Sequence, residues 1–520
     1  MVTGCVIRKN EYHDSVFLMR VARRISEQKG VLQAAALMGT EKNKVLLAEI
    51  GIGGKEIEAA APGDLIIAVQ AEDAETLSAM LGNLEGWLRP SPDRPAAIPV
   101  RTLEEALGRQ PHSNLAVISI PGQYAAREAR RALERGLNVF LFSDNIPVKD
   151  ELAMKEYARE KGLMVMGPDC GTAIIGGKGI GFANAVRRGP VGVIGASGTG
   201  IQEFTTLVHH AGSGISHALG TGSRDLSDEI GGISVLSALS ALESDPQTKV
   251  IALISKPPGE KTLARLLPRL QSCSKPMVAC FLGSGPSIQT GKASHQIVRT
   301  LDEAAAAAFQ LITPRGNSVF PPDTPGFQAL LQRERNAIRM PRRFLRGIFA
   351  GGTFCYQAQQ ILRDAGVSAY SNAPLRGNRK LPDPNRSLGH TLVDMGADEF
   401  TSGRPHPMID SSLRRERILQ EAEDPEVAVI LLDFILGFNA SPDPAGDLAA
   451  AITRAKAGAK EKGGFLSVVA SVCGTEGDSQ DFVRQVKKLE ERGAVVFPSS
   501  ARATQFCVEL IRPQEGGSRG

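Results

Sequence analysis

The chain has 520 residues with a formal net charge of +4, and 42% of its residues are hydrophobic and 22% charged. This composition is that of globular proteins, so it excludes disordered and fibrous classes. The small net charge, with no block of like charge, excludes a dedicated nucleic-acid-binding protein. The length predicts about three to five domains.

Cysteine and histidine usage indicates neither disulfides nor a metal site. The seven cysteines are scattered without a CxxC pair, and an odd count argues against a disulfide framework. The histidines form no HxH or HExxH pattern. The N-terminus MVTGCVIRKNEYHDS lacks the apolar core of a signal peptide, and the longest apolar runs are strand-length. We therefore expect a cytoplasmic protein that does not enter membranes.

The first predicted elements form an N-terminal α/β domain over residues 1–110. VTGCVIRKN predicts a strand and SVFLMRVARRISEQ an amphipathic helix, and the strand LIIAVQA and the helix AETLSAMLGNLEGWL follow. The proline-rich segment RPSPDRPAAIP then marks a domain boundary.

Strands and helices alternate over most of the remaining chain. NLAVISI, NVFLFS, LMVMG, VGVIG, KVIALIS and PMVACFLG are apolar strands separated by helical segments, which predicts parallel sheets covered on both faces. The strand–glycine–helix plan of residues 190–212 returns in LRGIFAGGTFCYQAQQILRDAG, which indicates an internal repeat. The predicted fold class is α/β, with several Rossmann-like or flavodoxin-like modules. The predicted ranges are 111–188, 189–312, a linker at 313–343, and 344–511.

The turn within VGVIGASGTGIQ is typical of an anion site. A strand ends there and a helix begins, so successive backbone N–H groups point outward and, with the hydroxyls and the helix dipole, can bind phosphate. The spacing matches neither GxGxxG nor a Walker A loop. The alternative is a tight turn whose hydroxyl caps the helix. The candidate phosphate-binding residues are Gly195, Ser197, Gly198, Thr199 and Gly200, and in the repeat Gly351, Gly352 and Thr353.

Two loops are further candidates. The segment GPDCGT, residues 167–172, follows the strand LMVM and should face the crevice at the carboxyl edge of a parallel sheet. Its Cys170 is either a nucleophile or a small packed side chain. The segment GRPHPMID is stiffened by two prolines. It is either a rigid surface loop or a catalytic loop in which Arg404 clamps a carboxylate or phosphate and His406 shuttles a proton.

These motifs resemble a known family. Residues 114–177, from NLAVISIPGQY to GPDCGTAIIGG, resemble the CoA-binding domain of the succinyl-CoA synthetase α subunit. VGVIGASGTGIQE resembles the ligase domain of that subunit, and residues 346–510 resemble the ligase domain of the β subunit. The resemblance is closer to the FdrA family, on GPDCGT, GASGTGIQE, SKPP, GRPHPMID and DSVFLM, and it covers nearly the whole chain.

The resemblance implies a set of cofactor-binding residues. If CoA binds, the turns after the first two strands of the CoA-binding-like domain and the GPDCGT loop would hold it. The implied residues are Ser119, Pro121, Gly122, Ser143, Asp144, Asp169, Cys170, Gly171 and Thr172.

The chain also departs from the synthetase pattern. The phosphohistidine of the synthetases lies in a GHAG context, whereas the corresponding stretch here reads GKASHQ, so we expect His295 not to be phosphorylated. No ATP-grasp region is present, and residues 1–110 do not carry the first glycine-rich turn of the CoA-binding domain.

Three functions are compatible with the resemblance and with these departures from it. The first is a subunit of a carbamoyltransferase that uses carbamoyl phosphate and a small carboxylate amide such as oxamate, in allantoin and purine nitrogen breakdown. The second is an ADP-forming acyl-CoA synthetase of the succinate–CoA ligase type that works with an ATP-grasp partner. The third is a non-catalytic CoA- or nucleotide-binding scaffold. The first is the main expectation, with other protein subunits as partners in a hetero-oligomer and no metal.

Overall fold

The computed structural model describes residues 2–13, 15–26, 28–49, 51–89, 100–283, 294–313, 326–401 and 404–512. The chain divides into two compact units. The first comprises Met1–Pro111 and Thr401–Pro405, and the second comprises His112–Phe400 and His406–Gly520.

The first unit contains a three-stranded antiparallel sheet in the order β1-β3-β2. One face of the first helix presents Leu18, Val21 and Ile25, spaced at helical intervals, to a core that includes Leu65 and Ile67 of the central strand. The elements are β1 (Val2–Arg8), α1 (Ser15–Ser26), β2 (Val31–Met38), α2 (Glu41–Glu49), α3 (Lys55–Ala59), β3 (Leu65–Ala71), α4 (Ala74–Gly82), α5 (Leu84–Leu88) and α6 (Leu103–Arg109).

The second unit begins with a small parallel sheet in the order β4-β5-β6. Its elements are β4 (Leu115–Ile118), α7 (Gly122–Glu134), β5 (Asn138–Leu141), α8 (Val148–Glu160) and β6 (Val165–Met166).

A seven-stranded sheet follows in the order β13-β12-β11-β9-β10-β7-β8, parallel except at the β7 and β8 edge. Its parallel part has the flavodoxin-like order, in which the first strand lies between the second and the third. The elements are β7 (Thr172–Ile175), β8 (Lys178–Gly181), β9 (Arg188–Gly195), α9 (Gly198–His210), β10 (Ile215–Gly220), α10 (Ile233–Ser244), β11 (Val250–Ser255), α11 (Glu260–Gln271), β12 (Met277–Phe281), β13 (His295–Val298) and α12 (Leu301–Ile312).

The second seven-stranded sheet is parallel throughout, in the order β16-β15-β17-β14-β18-β19-β20. Here too the strand before the glycine turn is central, which agrees with the predicted internal repeat. The elements are α13 (Phe327–Ala337), β14 (Phe344–Phe349), α14 (Gly352–Asp364), β15 (Tyr370–Ser371), β16 (Arg379–Lys380), β17 (Thr391–Asp394), α15 (Asp398–Thr401), α16 (Ser412–Glu423), β18 (Val427–Ile435), α17 (Pro444–Glu461), β19 (Ser467–Cys473), α18 (Phe482–Glu491), β20 (Val495–Phe497) and α19 (Ser500–Ile511).

The predicted fold class is confirmed, because the chain is α/β with mainly parallel sheets. The predicted linker at 313–343 is wrong for part of its length. Residues 327–337 form α13, which buries Phe327 and Leu331 and whose Glu334 accepts a hydrogen bond from Ser467 Oγ at 2.7 Å. No helix in the described ranges is both long and apolar enough to cross a bilayer.

The two seven-stranded sheets share one continuous core. Helix α9 of the first module and helix α14 of the second pack against each other, and Phe204, Leu207, Phe354 and Ala358 belong to the same buried cluster. This packing determines where the amino ends of the two helices meet.

Candidate functional site

Three turns meet at the carboxyl edge of the small parallel sheet. The Ile120 N–H donates to Ser143 Oγ at 3.0 Å, and the Asp169 N–H donates to the Ser143 carbonyl at 3.0 Å. Gly122 lies so close to the next turn that a Cβ there would be 2.1 Å from the Asp144 carbonyl oxygen. Residues that the sequence analysis proposed for CoA therefore lie together at the edge where parallel sheets bind ligands.

Asp169 occupies a strained position in this crevice. Its φ is +56°, in the left-handed region that Asn and Asp tolerate better than other side chains. Solvent still reaches the side chain. Its protein surroundings nevertheless raise its pKa to about 6, chiefly by desolvation, with Asp144 and Asp398 adding to the shift. An acid group with a pKa near neutrality thus faces the crevice.

The GPDCGT loop connects this edge to the start of helix α9. Thr172 Oγ1 donates to the Phe182 carbonyl at 3.4 Å, and a Cβ on Gly198 would lie 3.2 Å from the same Thr172 oxygen. The first turn of α9 is therefore lined on one side by the loop that follows β6.

Helices α9 and α14 face each other at their amino ends. Ser197 caps α9 by accepting a hydrogen bond from the Gly200 N–H at 3.3 Å. The Ser197 hydroxyl also contacts the Thr353 hydroxyl in the first turn of α14. A Cβ on Gly200 would lie 3.3 Å from Thr353 Cγ2, so the two turns pack closely at this glycine. Two helix N-termini, each with positive dipole charge, converge on one point.

Asp433 and Asp394 organise the turn that begins α14. The fully buried Asp433 carboxylate accepts hydrogen bonds from the Ala350 and Gly351 N–H groups at 2.8 and 2.7 Å, and from Arg414 at 2.8 Å. Asp394 ends β17, and its Oδ2 would lie 2.6 Å from a Cβ on Gly352. Desolvation raises the pKa of Asp394 to about 6, and the positive charge of Lys256 opposes this shift.

Lys256 adds an exposed positive charge at the same edge. It directly follows β11, which pairs with β9, and its side chain is exposed with its ammonium 5.0 Å from the centre of the Tyr356 ring in α14. Lys256 therefore lies beside the carboxyl end of the strand that leads into Ser197.

His406 lies against the same turn. Its ring is 6.3 Å from that of Phe182, and a Cβ on Gly396 would be 2.7 Å from His406 Nε2 and 2.8 Å from the Ala350 carbonyl. Burial, together with the nearby Arg414 charge, lowers the pKa of His406 to about 4. At neutral pH the ring is therefore uncharged, which argues against the predicted proton shuttle.

The structure also places two other residues that the sequence analysis singled out, Cys170 and His295. Cys170 is buried, its thiol donates to the Thr172 carbonyl at 3.6 Å, and burial raises its pKa to about 12, so it is a packed thiol rather than a nucleophile. His295 begins β13 opposite Met277, at the amino edge of the sheet. Along the strand direction it lies three residues before the level of Gly195, which is about 10 Å. Across the sheet it lies three strands away from Gly195, which is about 14 Å.

The predicted role of Arg404 stays a prediction. Arg404 is exposed and belongs with Thr401–Pro405 to the first unit, whereas His406 belongs to the second. Gly403 lies outside the described residues.

Sequence reasoning missed Lys256, Asp394 and Asp433 as site residues. Lys256 and Asp394 could have been predicted, because SKPP and VDMG each place a charged residue at the end of an apolar strand. The position of Asp433 inside the strand VAVILLDFI gave no such indication, since its partners Arg414 and Ala350 are distant in sequence.

Three family models match the chain. They are described as AllF, heavy metal-associated domain, over residues 1–98, CoA binding domain over 186–266, and CoA-ligase over 348–508. The CoA-binding match lies in the module of the first seven-stranded sheet and leaves the prediction for residues 111–188 untested.

The described residues of the first unit do not fit a metal centre. Cys5 is the one cysteine in residues 1–98 of the sequence, and its thiol contacts Glu56 Oε2 at 3.9 Å. Soft metal sites need several thiolate or imidazole ligands. Within the described ranges, no group of His, Cys, Asp and Glu side chains is arranged to hold a metal ion.

Known proteins resemble the chain over different lengths. The uncharacterized protein YahF of Escherichia coli is 42% identical over 515 residues, which are 98% of this chain and 99% of YahF. The succinate–CoA ligase [ADP-forming] subunit alpha of Methanothermobacter thermautotrophicus is 29% identical over 33% of this chain and 58% of that subunit. The dinucleotide-forming acetyl-coenzyme A synthetase 1 of Ca. Korarchaeum cryptofilum aligns over 76% of this chain and 82% of its own at 15% identity, with a TM-score of 0.32.

The CoA-binding and CoA-ligase matches and the homology to the succinate–CoA ligase α subunit agree with the arrangement of the two seven-stranded modules. The chain belongs to the same family as YahF and is a CoA-ligase-like protein with an AllF-type N-terminal domain.

Proposed function

We propose that the second unit transfers an acyl group between phosphate and the thiol of CoA, as part of an acyl-CoA ligase. The observation that carries this proposal is the convergence of the α9 and α14 amino ends at Ser197 and Thr353. The convergence lies beside the GPDCGT loop, through the close approach of Thr172 to Gly198. The candidate phosphate site therefore lies next to the candidate CoA-binding turns.

The phosphate is held by backbone and hydroxyl donors. The N–H groups of residues 198–200 and 352–353 belong to the first turns of two helices, where they have few partners within the helix. The Ser197 and Thr353 hydroxyls add donors, and Lys256 supplies a full positive charge at the rim. The positive ends of two helices favour the leaving phosphate of an acyl phosphate.

In this proposal the acyl phosphate is not made through His295 or His406 of this chain. His295 lies at the amino edge of its sheet, and the neutral His406 accepts a backbone hydrogen bond on one ring nitrogen. An ATP-grasp partner in a hetero-oligomer would therefore supply the acyl phosphate. The succinate–CoA ligase relative is itself a subunit by its name.

Carbamoyl transfer, the main expectation from sequence, gains no support from the comparisons. Two of the three matched family models and the succinate–CoA ligase relative are CoA-binding or CoA-ligase proteins, which favours the acyl-CoA alternative. The link to oxamate and purine breakdown therefore rests on the FdrA resemblance alone.

Arsenolysis tests the proposal without any partner subunit. Arsenate replaces phosphate, and the acyl arsenate hydrolyses at once, so acyl-CoA is converted to free thiol. With succinyl-CoA, malyl-CoA and acetyl-CoA as probes, we expect arsenate-dependent thiol release from at least one, and calorimetric binding of CoA. Phosphate release from carbamoyl phosphate with oxamate, without CoA binding or arsenolysis, would overturn the proposal.

The variant Gly198→Val tests whether arsenolysis depends on the turn that begins α9. A Cβ there would lie 3.2 Å from Thr172 Oγ1, and the valine methyl groups would fill the approach to the α9 N–H groups. We expect at least a 100-fold loss of arsenolysis, because the missing anion contacts would bind and position the attacking arsenate. Gly458→Val in α17, where an added Cβ meets no atom within 4 Å, is the matched control and should retain activity.

A further inference from the structure

We infer that His406 is a neutral hydrogen-bond donor, through Nε2–H, to the acyl carbonyl oxygen in the proposed reaction. This inference deepens the proposed function, because it assigns a catalytic role to a residue of the same crevice. It replaces the proton shuttle that the sequence suggested.

The tautomer of His406 follows from its backbone contact. The Met408 N–H donates to His406 Nδ1, with an N···N distance of 3.2 Å. A nitrogen that accepts a hydrogen bond carries a lone pair, so the proton of the neutral ring must be on Nε2. The Ile409 and Asp410 N–H groups both donate to the His406 carbonyl, at 2.8 and 3.1 Å, which holds the segment in a turn.

The neutral form persists at physiological pH. Burial lowers the pKa of His406 to about 4, and the Arg414 charge adds to this shift. Asp394 approaches the same side of Gly396 as Nε2, and desolvation raises the pKa of its carboxyl to about 6. His406 can thus donate one hydrogen bond but cannot take up a proton during turnover.

Nε2 lies close to the turn that begins α14. It makes no hydrogen bond to the described residues of the chain. On one side it approaches Gly396, near the Ala350 carbonyl and the Asp394 carboxyl at the start of α14. On the other side lies Phe182, whose carbonyl accepts from Thr172 beside α9. A donor at this point faces a substrate held between the two helix N-termini.

The donor matches the charge that develops in acyl transfer. The thiol sulfur forms a bond to the acyl carbon, the carbonyl oxygen becomes an oxyanion, and the carbon–oxygen bond to phosphate then breaks. Phosphate leaves into the two helix N-termini and carries away the thiol proton. His406 gains and loses no proton, and its Nε2–H stabilises the oxyanion as oxyanion-hole donors do.

A pair of amide substitutions separates this role from the others. In His406→Gln the side-chain nitrogen reaches the position of Nε2, whereas in His406→Asn it reaches only that of Nδ1. With arsenolysis of acyl-CoA as the assay, we expect His406→Gln to retain activity within about tenfold, and His406→Asn to lose at least 100-fold. Equal loss in both variants would indicate a base, and no loss in either would indicate packing; each result would overturn the inference.

His390 supplies the control. Its Nδ1 also accepts a backbone hydrogen bond, from the Leu345 N–H at 3.1 Å, and burial also lowers its pKa to about 4. It lies at the amino end of β14, the opposite end from the glycine turn. His390→Gln should therefore leave arsenolysis unchanged.

A spectroscopic measurement keeps the inference testable if the wild-type chain shows no arsenolysis, which would count against the proposed function alone. Nitrogen NMR of the full chain labelled at histidine should show His406 protonated at Nε2 between pH 5 and 8. Addition of acetyl phosphate should shift the Nε2 resonance of His406 and not that of His390. An Nδ1–H tautomer, titration near pH 6.5, or no response to acetyl phosphate would overturn the donor role.

Discussion

At the scale of single residues, Asp433 is the group on which the α14 turn depends most. Its carboxylate binds two N–H groups of the turn and the buried Arg414, which also donates to the Ile348 and Asp433 carbonyls. Asp433 is fully buried and Arg414 nearly so. The ion pair therefore fixes the backbone that presents Thr353.

Asp433→Ala should destabilise the chain by about 3–5 kcal/mol, because it leaves the Arg414 charge buried without its partner. The double variant Asp433→Ala with Arg414→Met should recover part of this loss, since it removes both charges. Thermal unfolding followed by circular dichroism measures both. A single variant as stable as the wild type would show that the pair does not support the turn.

The sequence allowed the residues of the first glycine turn to be predicted, but not their partners. Ser197 caps α9 as a hydroxyl at a strand-to-helix turn should. Its contact with Thr353 joins positions 156 residues apart. The tautomer of His406 depends on a local backbone bond, yet its neutrality depends on Arg414 and on burial, which only the folded chain determines.

At the scale of elements, long apolar strands were predicted well and short ones were missed. Strands β9, β11 and β12 are fully or mostly buried and read as continuous apolar runs. The β7 and β8 hairpin escaped prediction, although Gly176 and Gly177 at its turn have φ of +56° and +79°. Two consecutive glycines between short apolar segments are a recognised signal for such a hairpin.

Helix α13 was missed for a different reason. Its segment FQALLQRERNA is polar on most faces and lies next to proline-rich sequence, which favours a linker. Its stability comes from tertiary packing, because Phe327 contacts Phe497 and Phe506 at ring distances of 5.9 and 5.3 Å.

At the scale of the second unit, a side chain from each seven-stranded module accepts hydrogen bonds at the start of a helix in the other module. Glu203 of α9 accepts hydrogen bonds from the Ser500 N–H and hydroxyl at 2.6 and 2.7 Å, at the start of α19. In return, Gln357 of α14 accepts from the Leu301 N–H at 2.8 Å, at the start of α12. Each helix of the proposed anion site thus accepts a hydrogen bond from the first turn of the last helix of the other module, which helps to hold Ser197 and Thr353 together.

Glu203 makes this connection sensitive to pH. Burial raises its pKa to about 8, and the neighbouring Asp302 adds to the shift. The folded chain therefore keeps a proton that the unfolded chain releases above about pH 4.5, the ordinary range of a glutamate. Since the unfolded state binds fewer protons, the contribution of Glu203 to stability falls as pH rises from about 4.5 to about 8.

Glu203→Gln should remove this contribution. The stability of the variant relative to the wild type should increase steadily from pH 5 to pH 8, measured as the midpoint of thermal unfolding at each pH. Gln357→Glu places an acid at the equivalent cap and should produce a steeper decline than the wild type. Parallel curves for wild type and Glu203→Gln would mean that the residue is ionised in the folded chain.

The most direct test of the account is a crystal structure of the full chain with inorganic phosphate and CoA. We predict phosphate between the two helices, within hydrogen-bonding distance of the N–H groups of residues 198–200 and 352–353 and of the Ser197 and Thr353 hydroxyls. We also predict CoA along the turns at 119–122, 143–144 and 169–172. Phosphate bound elsewhere, with the space between Ser197 and Thr353 closed at concentrations that support arsenolysis, would contradict it.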